Sequence, residues 1–534
     1  MNPLQPFTLI NGKFYLSRDR FASSCRIDQG IIVGIDVQPQ PGDRIIDVQG
    51  KTVLPGFNDS HLHYLGMALM RDQLHLDDVR SLQALIAKGQ SFIKESPRPV
   101  VWGRGYDQNR FTEGPQRLPV ASDLDQISSS IPILLYRTCG HVVSVNSVVL
   151  KSLNLSAKTV AEHQPNIPLD EQGQPIGLFT ESAIDLLAPF RKKLTPERVV
   201  EALESLVPEV HALGITSIQP NDIMFKDAEF EARFEGYLRF AKQKKLRMFH
   251  QIFLDDPTQL QHEPLRTLMG KPDPFHAFGS IKLYMDGSLG AKTALMRHGY
   301  LNDPQNHGIA NYTQEALDEL IGAMKNVPIL IHAIGDEALE RVLNAYEKHL
   351  KPGNPHRWGI VHVQISSQAQ LQRMARLNIV AYVQPIFLNT DIAIVPQRVD
   401  DALMSTSYAF GTLDRLGIPV AYSSDAPIET MNVMHWIHCA VNRTPVGSTV
   451  VPFTPQHAAD VTSAIDACTV GGAYCSFEDH KKGRLAVGQW ADLVVLSDDV
   501  FTIDPQLIQH VTVEATMLDG QWVYASSSSR IVIS

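Results

Sequence analysis

Lys51-Thr-Val-Leu-Pro-Gly-Phe-Asn-Asp-Ser-His-Leu-His63 decides the reading of this chain. An apolar, β-branched strand signal is broken by Pro-Gly and runs on into His61-Leu62-His63. In an extended strand, residues i and i+2 point to the same side. Two imidazoles so placed can share one metal ion, and neutral imidazole is a common zinc ligand. A bare His-x-His pair arises by chance about once in a chain this long. The context makes it informative, because further metal-competent residues close other strand-like runs downstream.

Working outward, eight apolar strand signals occur: Thr52–Phe57, Ile215–Gln219, Arg247–Leu254, Ser280–Tyr284, Pro328–Ile331, Trp358–Val361, Ile379–Val383 and Pro419–Ser423. Helical patterns such as Gln314–Lys325, Asp336–His349 and Ser367–Leu377 separate most of them. Eight strands alternating with helices predict an α/β fold, a (β/α)8 TIM barrel. The gap after the first strand is far too long for a βα connection and predicts an inserted subdomain over about 70–200. Attached to a strand's C-terminal end, it is expected over the barrel mouth. Strand and turn signals at both ends predict a small sheet sharing strands from both termini, 1–55 plus 475–534. The barrel then occupies 56–474.

The 534 residues are 44% apolar, enough for a large core, and carry a formal net charge of −10. The acidic balance argues against nucleic acid or an anionic membrane as partner. Five scattered cysteines, Cys25, Cys139, Cys439, Cys468 and Cys475, contain no Cys-x-x-Cys and read as reduced core filler. The N-terminus lacks the basic and apolar regions of a signal peptide, and no apolar run reaches membrane-spanning length. The expectation is a cytoplasmic protein with a small-molecule substrate. A homo-oligomer remains open.

Six residues read as metal-competent at one barrel edge. His61 and His63 follow strand 1, and Lys282 lies in strand 4. His332 and His362 close strands 5 and 6, and Asp425 closes strand 8. Each alone has a bland reading: a core histidine, a helix cap, or an outward lysine with a snorkelling stem. Together they are hard to obtain as independent accidents. An ammonium in an apolar strand beside divalent cations would favour the neutral amine. Such an amine can take up carbon dioxide, and the resulting carbamate could bridge two metal ions. His435 and His438, three apart on a helix, read as structural or pocket-lining.

The chain resembles the amidohydrolase superfamily, in the YtcJ-like branch that includes N-substituted formamide deformylases. The likeness runs from Val53-Leu-Pro-Gly-Phe-Asn-Asp-Ser-His-Leu-His63 to Gly483-Arg-Leu-Ala-Val-Gly-Gln-Trp-Ala-Asp-Leu-Val-Val-Leu496. Between them lie Trp102-Gly-Arg-Gly-Tyr-Asp-Gln108, Tyr136-Arg-Thr-Cys-Gly-His-Val-Val-Ser-Val-Asn-Ser147, Lys282-Leu-Tyr-Met-Asp-Gly-Ser-Leu-Gly290, His332-Ala-Ile-Gly-Asp336 and Ser424-Asp-Ala-Pro427. The resemblance implies a barrel with a flanking β-sandwich built from both termini, and a binuclear metal centre. His61, His63 and Asp425 would hold one divalent ion, expected to be zinc, and His332 and His362 the other. Carboxylated Lys282 would bridge them. One departure is visible: the family often has Glu-His-Ala-Gln at strand 6, where this chain has Val361-His-Val-Gln364.

The expected reaction is hydrolysis of a non-peptide, amide-type C–N bond by metal-activated hydroxide, with Asp425 moving the proton from water to the leaving nitrogen. Arg137, His141 and Asn146 in the insertion are candidate substrate contacts. Two alternatives stand beside this. A mononuclear zinc deaminase on the same fold would leave Lys282 uncarboxylated and needs a Glu shortly after His332. A non-catalytic regulatory protein could have kept the barrel.

Overall fold

The computed structural model describes the chain except residues 1–4, 139–140, 191–192, 227, 263–264, 266–272, 528, 530 and 532–534. Cys139 lies outside the described residues, and the other four cysteines are free and buried.

Eight parallel strands form the barrel: β1 (Phe57–Leu62), β2 (Ile215–Pro220), β3 (Arg247–Phe253), β4 (His276–Tyr284), β5 (Ile329–Ala333), β6 (Gly359–His362), β7 (Val380–Val383) and β8 (Val420–Tyr422). They pair in chain order from β1 to β8. The registers are parallel throughout, for example Ile215 against Phe57 and His332 against Val361. Side-chain and loop hydrogen bonds draw β8 back to β1. Ser60 Oγ donates to the Tyr422 carbonyl at 2.8 Å, and the Asp425 amide to the His61 carbonyl at 2.9 Å. The helices follow the predicted amphipathic patterns. Asp336–His349 buries Leu339, Val342, Leu343 and Tyr346 on one face, and Ser367 caps Gln368–Leu377 with a reciprocal bond to Gln370.

The first barrel strand starts later than the sequence signal. Thr52–Pro55 is a separate strand, paired in parallel with Lys13–Ser17 and antiparallel with Leu493–Leu496. The hand-over occurs at Gly56. Its amide donates to the Asp492 carbonyl of the terminal sheet, and the next amide, Phe57, donates to Gly214 at the entry of β2. A Cβ at Gly56 would lie 2.3 Å from Thr216 Oγ1, so only glycine lets the chain pass. His61 therefore lies within β1 and not after it.

Both termini contribute to the sheets outside the barrel. A six-stranded sheet interleaves Gln521–Ala525, Val513–Leu518, Leu493–Leu496, Thr52–Pro55, Lys13–Ser17 and Arg20–Ala22. A four-stranded sheet holds Ile31–Ile35, Cys25–Asp28, Phe7–Ile10 and Arg44–Asp47. Leu9, Ile27, Phe14, Val53, Val495 and Met517 share one core between them.

Residues 67–194 form a compact unit of their own. Its five-stranded sheet runs Leu178–Thr180, Val142–Val145, Ile133–Arg137, Val101–Tyr106, Leu74–His75. Separate apolar clusters centred on Leu85, Leu124 and Ile133, and on Leu134, Val145 and Phe179, pack this sheet.

Candidate metal centre

All six residues of β1 are buried, and its alternation puts His61 and His63 on one side. Asp425 arrives from the end of β8 with a left-handed backbone, φ +53°. One ligand atom from each of these three residues lies within 4.8 Å of the others. Asp425 Oδ1 is 3.4 Å from His61 Nε2 and 3.5 Å from His63 Nε2. It is buried and accepts no hydrogen bond. A buried carboxylate oxygen without a donor is costly, and two imidazole nitrogens share the space it faces. That arrangement fits a cation.

The far nitrogen of each imidazole is fixed by a neighbour, which sets the tautomer. His61 Nδ1 donates to Gln251 Oε1 at 2.6 Å, and the Gln251 amide donates onward to the Ser60 carbonyl. His63 Nδ1 donates to the Asn221 carbonyl at 3.0 Å. His362 Nδ1 donates to Gln384 Oε1 at 2.8 Å, and Gln384 in turn donates to Ser423 Oγ. All three therefore offer Nε2. His332 is reversed: its Nε2 meets the Gly287 carbonyl at 2.9 Å and Asp286 Oδ1 at 3.2 Å, leaving Nδ1 to face the site. The His332 and His362 rings are 4.4 Å apart, and the His61 and His362 rings 5.8 Å.

Lys282 is fully buried in β4. Among the described residues it has no carboxylate ion-pair partner. Nζ makes one long bond to the Leu283 carbonyl, 3.4 Å, and lies 3.8 Å from the centre of the Tyr284 ring. Burial pushes its amine down to about 7, against the pull of Asp425 and Asp286. The same burial would raise the Asp425 carboxyl, but the neighbouring His63, His61 and His362 imidazoles hold it well below the usual carboxylate range. The cavity over these groups has a volume of about 360 Å³ and a largely apolar wall including Tyr284, Leu289, Ile334 and Phe387.

Several supporting residues escaped sequence reasoning: Gln251, Gln384, Asn221 and Asp286. Gln384 follows β7 directly, so the strand-end rule that picked out the histidines could have found it. Asp286 accepts backbone amides from Leu295, Ile334 and Gly335 and so ties the loops after β4 and β5 around His332.

The candidate substrate contacts sit differently. Asn146 is buried. Its carbonyl accepts the Ile133 and Val149 amides, and its amino group donates to the Ser128 and Ile131 carbonyls. Its whole polar capacity is used inside its own unit, which corrects the expectation for this residue. Arg137 pairs with Asp107 at 2.7 Å and Gln108 at 2.9 Å. Exposed His141 meets Glu181 at 3.1 Å. His435 and His438 bond to Asn432, Asn442 and Thr444 around the helix Val433–Asn442.

Residues 44–524 match the model of the amidohydrolase family. The chain belongs to this family. It is 31% identical over 491 residues to the amidohydrolase-family protein YtcJ of Bacillus subtilis (strain 168), covering 91% of this chain and 92% of that protein. It is 24% identical over 515 residues to the N-substituted formamide deformylase of Arthrobacter pascens, covering 93% and 94%. An uncharacterized metal-dependent hydrolase from Pyrococcus furiosus superposes with a TM-score of 0.76 at 26% identity, covering 93% of this chain and 100% of that one. The family makes this chain a hydrolase of C–N bonds. Among the described residues no helix is long and apolar enough to cross a membrane.

Proposed function

We propose that the chain hydrolyses a small, non-peptide amide at a binuclear zinc centre. The observation that carries this is the convergence of four imidazoles with Asp425, whose buried Oδ1 accepts no hydrogen bond. His61, His63 and Asp425 would hold one ion, through Nε2 of both histidines. His332, through Nδ1, and His362, through Nε2, would hold the other. Lys282 would join them as a carbamate. Its amine nitrogen adds to the carbon of carbon dioxide and releases a proton, which turns an unpaired buried amine into a buried anion between cations. Bound divalent ions supply Lewis acidity, polarising a carbonyl and making water acidic near neutrality.

Asp425 is held as an anion and so can accept a proton from the attacking water. Water adds to the carbonyl carbon, the C–N bond breaks, and Asp425 returns the proton to the leaving nitrogen. The products are a carboxylic acid and an amine. The deaminase reading loses its acid. Asp336 accepts the Arg297 amide, and Glu337 pairs with Arg297 and Arg341. Neither lines the cavity.

Elemental analysis of protein expressed with zinc, run beside a panel of N-substituted formamides and acyl amides, tests the proposal. Close to two equivalents of metal and release of free amine are expected. Full activity with no more than one equivalent would overturn the binuclear centre, and cleavage of aminopyrimidines or aminopurines without cleavage of any amide would favour the deaminase.

A further inference from the structure

The cavity that the histidines line also carries a carboxylate that the reaction does not use. Asp391 ends the short helix Leu388–Asp391, which follows β7 through the turn Pro385–Phe387. Its side chain lines the same cavity as His61 and His332. Oδ2 accepts two hydrogen bonds, from Gln364 Nε2 at 2.7 Å and from the Tyr408 hydroxyl at 2.8 Å. Gln364 also donates to the Tyr408 oxygen at 3.0 Å. Gln364 and Tyr408 are both buried, and Tyr408 is held there with a left-handed backbone, φ +50°. Two residues from two other segments of the chain therefore orient one carboxylate. Its other oxygen, Oδ1, has no hydrogen-bond partner among the described residues.

Burial pushes the Asp391 carboxyl up to about 6, with the Tyr408 and Gln364 bonds opposing. At pH 8 it is an anion. No lysine or arginine lines the cavity among the described residues. A second acid, Glu429, stands beside this wall and accepts the Thr390 hydroxyl at 3.2 Å. An oriented anion with an unpartnered oxygen at an apolar wall is best satisfied by a cationic donor from the ligand. A ligand carboxylate there would meet like charge, which is how a site rejects one partner while accepting another.

We infer that Asp391 is the specificity residue of this cavity and selects amides whose apolar arm ends in a protonated amine, against amides that end in a carboxylate. This rests on the amide-hydrolase reading above, but recognition can be measured without turnover. Three N-benzylmethanesulfonamides serve as probes, with aminomethyl, methyl or carboxyl at the para position. A sulfonamide, tetrahedral at sulfur, resembles the tetrahedral intermediate of amide hydrolysis and itself resists hydrolysis. Their binding to the metal-replete full chain at pH 8 is read by calorimetry. The aminomethyl compound is expected to bind at least about tenfold tighter than the methyl compound, and the carboxyl compound weakest. In Asp391→Asn the amide carbonyl can still accept from Gln364 and Tyr408, and the first ratio should fall below about threefold. An equal ratio in the two proteins overturns the assignment. Should the variant not fold, the native protein decides alone: no preference, preference for the carboxyl compound, or failure of all three to bind refutes the inference. The corresponding formamides separate the two proposals. Sulfonamide selectivity without cleavage of any formamide leaves Asp391 in place and removes the hydrolytic reading.

Discussion

Lys282 and Arg247 are both buried cations in neighbouring barrel strands, and the protein treats them in opposite ways. Arg247 opens β3 at the barrel's closed end. Its guanidinium meets Asp492 at 2.5 and 3.0 Å and Asp519 at 3.2 Å, and lies between the rings of Trp490, 3.8 Å away, and Phe275, 4.5 Å away. Every part of the charge has an answer, and it pins the barrel to the terminal sheet. Lys282, near the mouth end of β4, has only a long bond to a carbonyl and a tyrosine face. Burial alone does not mark function. The paired cation keeps its charge and serves the fold, whereas the unpaired amine is driven toward neutrality, the state that can react with carbon dioxide.

The contrast breaks first at Lys282. Lys282→Ala should lower kcat/KM by more than about 10²-fold and reduce bound metal, while the melting temperature stays within a few degrees. Short-chain carboxylic acids should recover part of the activity by supplying the missing anion. Lys282→Arg should recover none, because a guanidinium stays cationic. A Lys282→Ala protein with native turnover would show that the unpaired amine is only a core residue.

Arg247→Ala should do the reverse. Removing one partner of a buried pair leaves Asp492 without its cation and costs about 3–5 kcal/mol. Chemical denaturation should show an earlier loss of structure, and the protein that remains folded should keep its metal content. If stability were unchanged and metal binding lost, the division of labour between the two barrel ends would fail.

The barrel and the residues that close its strands were legible because both rest on local pattern: apolar runs, and a histidine or aspartate closing them. The start of β1 was not. The apolar signal Thr52–Phe57 reads as one strand across Pro55-Gly56, and only the pairing of Val53 with Val495, far along the chain, assigns its first half to another sheet. Asn146 was misread for a related reason. A polar residue after a strand looks alike whether it faces a ligand or, as here, four backbone groups of its own unit. The left-handed backbone at His362, φ +82°, Val363, φ +48°, and Asp425 is also invisible in sequence. For β-branched Val363 it is an unfavourable conformation. The surrounding bonds hold it, including the Val363 amide to Ala333 and the Asp425 amide to His61.

The smallest of these effects concerns residues that touch no ligand. Gln384 and Gln251 each accept a hydrogen bond from one histidine and spend their amide N–H groups on the barrel itself, Gln384 on Ser423 and Gln251 on Ser60. Each thereby fixes a ring that the cavity needs in one tautomer. Gln384→Ala frees the His362 ring, so metal affinity should fall by about 10–100-fold, the usual cost of losing such support. Gln384→Glu keeps an acceptor for His362 Nδ1 and should lose less affinity. A titration with a competing chelator measures both variants against the native protein. The rank native, then Gln384→Glu, then Gln384→Ala is the signature of a residue acting through His362. A cavity defect would make the two variants differ in melting temperature but not in metal affinity. Equal affinity in all three would mean that packing alone orients His362, and the mouth histidines would then differ from a core histidine only in what they face.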